Sequence, residues 1–278
     1  MTIGEALKQI RGELCLTQKQ MCAEIVTRSF YAKVESGKSM ISADKLAEIL
    51  FSHDVDINYF YQLLRKTYMP KSKQIDENLN QKMNEAFNSG SIELIEQCYH
   101  DILEQSDSKS LKIRSMITVA YLKNELSLID PKVKQKLFIE FSKEQNWMAN
   151  SSSLRLFTNT MPIWSQENLS FFVERLLNRI EKSKKITELN QERYLRILEN
   201  YLTICYQRRA QNGISTAKNI QRTFNCILKL SSPVHFALYK IAALYLKYLF
   251  LDRKAEAQKV KDDMKEYGYQ NLVKNWPE

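Results

Sequence analysis

At 278 residues the chain is long enough for one small domain and one larger one. Only six glycines and five prolines, beside 44% hydrophobic residues, argue against a β-rich or disordered protein and favour a helical one with a real core. The formal net charge of +9 suggests an acidic partner, yet residues 1–66 carry nine Lys and Arg against eight Asp and Glu, so any contact with phosphates there must rest on a local cluster (Arg11, Lys19, Arg28, Lys33, Lys38).

Along the chain, Leu7, Ile10 and Arg11 belong to a first helix, and Leu16-Thr17-Gln18 opens a second with Met21, Cys22 and Ile25 on one face. A tight connection at Val26-Thr27 follows, and Thr27 can cap a third helix over 28–36 whose Tyr31 and Val34 point inward. That spacing leaves Arg28, Ser29, Phe30 and Lys33 outward. A helix this short cannot bury a core of its own, so its outer face is free for another task, and the major groove of DNA is the leading candidate. Gly37 closes the helix, and Leu46, Ala47 and Leu50 lie in a fourth. These positions resemble the DNA-binding domains of the Cro/CI (Xre) type over residues 3–66. The resemblance implies a five-helix domain in which Gln18 touches the phosphate backbone, Arg11 sits near a phosphate, and Arg28, Ser29, Phe30 and Lys33 face the bases of double-stranded DNA. Most members carry a glycine and one more residue in the turn than Ile25-Val26-Thr27 supplies. With few phosphates neutralised per copy, a dimer on two half-sites is expected.

Residues 1–66 therefore read as a helix-turn-helix domain and 67–75, interrupted by Pro70, as a linker or a bend between domains. Residues 76–278 read as helices throughout, over about 76–88, 91–105, 109–125, 131–144, 151–161, 165–182, 187–210, 214–230, 233–250 and 253–267. Gly90-Ser91, Asp130-Pro131, Pro162, Asn212-Gly213 and Pro233 punctuate them. A faint repeat runs through LKIRSMITVAYL from Leu111, SLRLFTNTMPIW from Ser153, RYLRILENYLTI from Arg193 and HFALYKIAALYL from His235, at intervals of 42, 40 and 42 residues. Such spacing predicts an α-solenoid of stacked helical hairpins, with these four helices on one side, its concave wall. The fold class is all-α.

Asparagine is a poor helix former, so Asn159 and Asn200 inside otherwise apolar or basic helices invite a reason. An amide can both donate to and accept from an extended peptide backbone. Arg155 lies one turn before Asn159; Arg196, Asn200, Thr203 and Gln207 form a similar stripe, and Tyr239 and Tyr245 can supply aromatic walls. The opening IGEALKQIR, the run TRSFYAKVESGKSMISADKLAEIL and the all-helical remainder together resemble the Rgg (GadR/MutR) regulators of Gram-positive bacteria. That resemblance implies a homodimeric transcription regulator whose tetratricopeptide-like domain receives a short hydrophobic signalling peptide in quorum sensing. It carries over Arg155 and Asn159 from SLRLFTN and Asn200 from LENYLTI, and places residues 245–264 near a partner subunit. The alternative is a DNA-binding regulator whose helical domain only dimerises or binds another protein.

An enzyme is not expected: the chain has no Gly-rich phosphate loop, metal cluster or nucleophile motif with a neighbouring base, and no cofactor is expected. The five cysteines are widely spaced without a CxxC pair and read as reduced, while His53, His100 and His235 have no metal-ligand spacing. With no signal-like N-terminus, and with apolar windows such as 241–251 too short to span a bilayer, a soluble cytoplasmic protein is expected, without membrane contact.

Overall fold

The computed structural model describes residues 1–143, 146–212, 217–274 and 276–278, and every regular element among them is helical. The chain divides into two compact units, residues 1–85 with 101–108 and residues 86–100 with 109–278.

The first unit opens with five helices: α1 (Ile3–Glu13), α2 (Gln18–Cys22), α3 (Arg28–Glu35), α4 (Ala43–Ser52) and α5 (Ile57–Tyr68). Each begins on a side-chain cap close in sequence: Thr2, Thr17, Thr27, Ser42 and Asp56 accept from backbone N–H groups of the first turn. Thr2 with Glu5 and Thr17 with Gln20 complete reciprocal capping boxes. One cluster holds the five together, with Leu7, Met21, Tyr31, Ile49 and Phe60 fully buried. Gly4 lets α1 cross α3 at close range, since a Cβ there would lie 2.0 Å from the Val34 carbonyl oxygen.

Two expectations need correction. The second helix ends at Cys22, so Ile25 lies in the turn and not on a helix face. The chain reverses instead through Ala23 and Glu24, both left-handed (φ 47° and 61°), a conformation glycine adopts more readily. Second, the stretch 67–75 is helical on both sides of a bend at Pro70 rather than a linker. α5 runs to Tyr68 and α6 (Lys71–Ser89) starts immediately after Pro70, which ends one helix and precedes the next without needing a backbone donor. The Gln74 side chain closes the bend by donating to the carbonyls of Met69 and Lys66, at 2.7 and 3.1 Å.

Beyond α7 (Ile92–Gln105), the second unit contains α8 (Lys109–Leu122), α9 (Pro131–Lys143), α10 (Ser151–Thr160), α11 (Gln166–Lys182), α12 (Glu188–Asn212), α13 (Ala217–Leu230), α14 (Ala237–Phe250), α15 (Lys254–Glu266) and α16 (Gln270–Val273). The predicted helices match these within a few residues; Gly213 of the predicted turn lies outside the described residues. The four repeat segments fall on α8, α10, α12 and α14, and these pack one against the next as a layer. α11 and α13 pack on each other and against α12, forming a second layer. An aromatic knot of Phe141, Trp147, Phe157 and Phe172, with ring centroids 4.8 to 6.2 Å apart, fills the core. Arg208 of α12 fastens the turn before α11 by donating to the Pro162 and Trp164 carbonyls, at 3.2 and 2.9 Å. Among the described residues no helix is long and apolar enough to cross a membrane, and no three His, Cys, Asp or Glu side chains gather as metal ligands.

Candidate functional site

In the first unit, Thr27 accepts the Phe30 amide at 3.3 Å and so fixes where α3 begins. With Tyr31, Val34 and Glu35 buried, α3 turns Arg28, Ser29 and Lys33 to solvent. Phe30 departs from expectation, being half-buried with its ring against the core, so the outward face is narrower and more polar than the spacing alone implies.

Arg11 and Gln18 converge beneath α3. Arg11 donates to both oxygens of Glu35 (2.6 and 3.2 Å) and to the Leu16 carbonyl (3.0 Å), and Gln18 donates to Glu35 at 2.8 Å. Burial alone would raise the Glu35 carboxyl, but the Arg11 and Gln18 hydrogen bonds outweigh it and hold its pKa below the ordinary value. The same negative charge, added to burial, pushes the Tyr31 phenol up. The two residues expected near phosphates are therefore also the struts that set the position of α3. Glu35, their common acceptor, went unnoticed in the sequence because a lone glutamate at a helix end reads as solvated.

In the second unit, the core takes Leu154, Leu156 and Phe157 of α10, together with Tyr194, Leu195, Ile197, Leu198, Tyr201 and Leu202 of α12. Arg155 and Asn159 stay off that buried face of α10; Arg196, Asn200, Thr203 and Gln207 do so on α12. Arg196 donates to Glu192 at 3.1 Å and to the Tyr239 hydroxyl of α14 at 3.4 Å, tying two of the expected residues to one surface. Burial lowers the Arg196 pKa, but the Tyr239 and Glu192 contacts more than restore it.

Tyr245 is not part of that surface. It is buried beneath Trp276 (ring centroids 4.6 Å apart), its hydroxyl donates to the Pro277 carbonyl, and Tyr206 similarly donates to the Glu278 carbonyl at 3.3 Å. A tail more than 25 residues downstream covers it, which no local pattern reveals. Sequence reasoning also passed over Glu199, whose carboxyl burial pushes up to about 7 against the pull of Arg196, and Arg114 and Arg193.

Residues 7–60 match the helix-turn-helix family HTH_3. No curated protein matches the chain in sequence. Among solved structures it is similar to the Streptococcus dysgalactiae SHP pheromone receptor Rgg2 (12% identity, TM-score 0.70, covering 98% of this chain and 96% of that one). It is likewise similar to a regulator structure from Listeria monocytogenes (20%, TM-score 0.73, 98% and 93%) and to PrgX in its complex with cCF10 (17%, TM-score 0.66, 98% and 96%). Residues 7–60 are thus a helix-turn-helix domain, and the chain has, over nearly its whole length, the fold of the Rgg and PrgX regulators.

Proposed function

We propose that this chain is a transcription regulator that binds double-stranded DNA as a homodimer and is controlled by a short peptide received on the open face of α8, α10, α12 and α14. What supports the reading is the pairing, in one chain, of a helix-turn-helix whose α3 exposes Arg28, Ser29 and Lys33 with a fold shared with pheromone receptors. The N-terminal residues of such a helix enter the major groove, where arginine can read guanine by two hydrogen bonds. One copy neutralises few phosphates, so two half-sites held by a dimer supply the missing affinity. On the helical layer, Asn159 and Asn200 would hold the peptide backbone, each amide both donating and accepting. The peptide acts by binding one arrangement of the dimer better than another, since a ligand with equal affinity for both shifts nothing. Such a regulator works in the cytoplasm, where its operator lies.

The test selects bound duplexes from a random DNA pool with the full-length protein. Enriched sites should form two related halves separated by about one helical turn or a multiple of it, and Arg28→Ala should abolish the enrichment. A pool without enrichment, or enrichment indifferent to Arg28, would overturn the DNA-binding assignment. In a second arm, a synthetic octapeptide pool should yield bound peptides with the native protein and fewer with Asn159→Ala. A native protein that retains no peptide would instead leave the helical unit to dimerisation or to a protein partner.

A further inference from the structure

The second unit carries a groove of about 660 Å³ between α9 and the start of α11. Lys134, Gln135 and Phe138 of α9 line it, with Ile163, Trp164, Ser165 and Asn168 at the turn into α11, so no residue of α8, α10, α12 or α14 takes part. Its floor is apolar and firmly packed. Ile163 and Trp164 are buried, and the Phe138 ring lies against Trp164 and Phe172, with centroids 6.4 and 5.4 Å apart. Phe138 also stacks on Phe171 at 6.5 Å, and Phe171 stays 47% exposed beside the groove.

Unpartnered polar groups surround this floor. Among the described residues, the side chains of Lys134, Gln135 and Asn168 have no hydrogen-bond or ion-pair partner within the chain. Arg175 marks the far end of the seam between α9 and α11. It donates to the Phe141 carbonyl at 3.4 Å and lies over the Phe171 ring, 5.7 Å from its centroid, with no carboxylate partner among the described residues. From Lys134 to Phe141 the helix rises about 10 Å, the reach of a few extended residues. Carboxylates do not counter these cations. Asp130 caps α9 by accepting the Lys132 amide at 2.8 Å, Glu174 faces Arg222 of α13 at 3.8 Å, and Glu167 opens α11 outside the lining. Glu140, two residues from Phe138, points to the other side of α9.

We propose that this groove docks a short acidic segment of a partner protein. One aromatic or large aliphatic side chain of the segment sits over Phe138 and Trp164, and its flanking carboxylates meet Lys134 and Arg175. Gln135 and Asn168, on opposite walls, are placed to pair with the segment's backbone, since an amide both donates and accepts. A preformed apolar pocket with a few convergent polar groups suits such an anchor. The site shares no residue with the open face of the helical layer, so it stands whatever that face receives.

The experiment irradiates the full-length protein with a pool of hexapeptides, acetylated and amidated at their ends, that carry a photoreactive benzoylphenylalanine among random Asp, Glu, Leu and Ser. A control pool has Asn and Gln in place of Asp and Glu, and cross-linked sites are mapped by mass spectrometry. The acidic pool should label residues 134–138 and 163–171 about ten times more than the control, the scale of one charged hydrogen-bonded pair. Lys134→Glu should bring that labelling down to the control level. Equal labelling by both pools, labelling only at other residues, no labelling, or labelling indifferent to Lys134→Glu would each overturn the proposal. Light scattering on the Lys134→Glu and Phe171→Ser proteins tests the other occupant: a native dimer made monomeric by either substitution would assign the groove to a second copy of this chain and overturn the partner segment.

Discussion

Arg11 and Glu35 form a two-pronged ion pair across 24 residues of sequence, with Nε to Oε1 at 2.6 Å and Nη2 to Oε2 at 3.2 Å. The pair fastens the first helix of the DNA-binding domain to the helix that carries Arg28. Glu35 is only 5% exposed, so removing Arg11 strands a buried carboxylate without its cation. Arg11→Met should therefore lower the stability of this domain by about 2–3 kcal/mol, measured by urea denaturation followed through amide exchange in α1 and α3. The Glu35 pKa is depressed in the folded protein, so its contribution is complete above the ordinary value of 4.5 and is lost as pH falls through the lower, folded-state value. Glu35→Gln should flatten that acid limb; an unchanged limb would put the acid sensitivity elsewhere.

Gly4→Ala should be poorly tolerated although alanine favours helix. The added Cβ meets backbone, the Val34 carbonyl, which cannot rotate away. Forcing α1 and α3 apart should cost about 1–3 kcal/mol and weaken operator binding beyond the stability loss, because α3 moves. Thermal melting beside DNA titration separates the two effects.

The turn before α3 predicts a gain. Glu24 holds a left-handed conformation (φ 61°) on the surface, where a side chain is disfavoured and glycine is not. Glu24→Gly should stabilise the domain by about 0.5–1 kcal/mol, the relief of strain exceeding the entropy glycine adds to the unfolded chain. Denaturant midpoints of the two proteins decide it.

Glu199 gives the helical unit the opposite pH response to that of Glu35. Burial raises its folded-state pKa from the ordinary 4.5 to about 7, so the folded protein keeps a proton that the unfolded chain releases. Stability should fall as pH rises from 4.5 and level off above about 7, by on the order of 3 kcal/mol in total. Glu199→Gln should remove this slope in melting curves of the second unit between pH 5 and pH 8.

The helical plan was legible because its signals are local. Thr17 and Thr27 announce helix starts, Pro131 and Pro233 mark breaks, and the recurrence from Leu111 to His235 put four helices into a common layer. What escaped depends on residues distant in sequence. The Arg11–Glu35 pair forms only when α1 meets α3, and Tyr245 is covered by Trp276. Ile25 was misplaced for a different reason: nothing about alanine or glutamate signals a left-handed backbone, so the reversal at Ala23-Glu24 looked like more helix.

The five N-terminal helices, each started by a cap within its own first turn and joined around a single cluster spanning Ala6 to Leu64, have a consequence for synthesis. Contacts this short in sequence separation favour folding in microseconds to milliseconds, whereas a ribosome adds only about 5–20 residues per second. The helix-turn-helix end should therefore be complete on the nascent chain long before α14 has been translated. Each new molecule would pass through a period in which this domain is folded while most of the helical unit is still unmade.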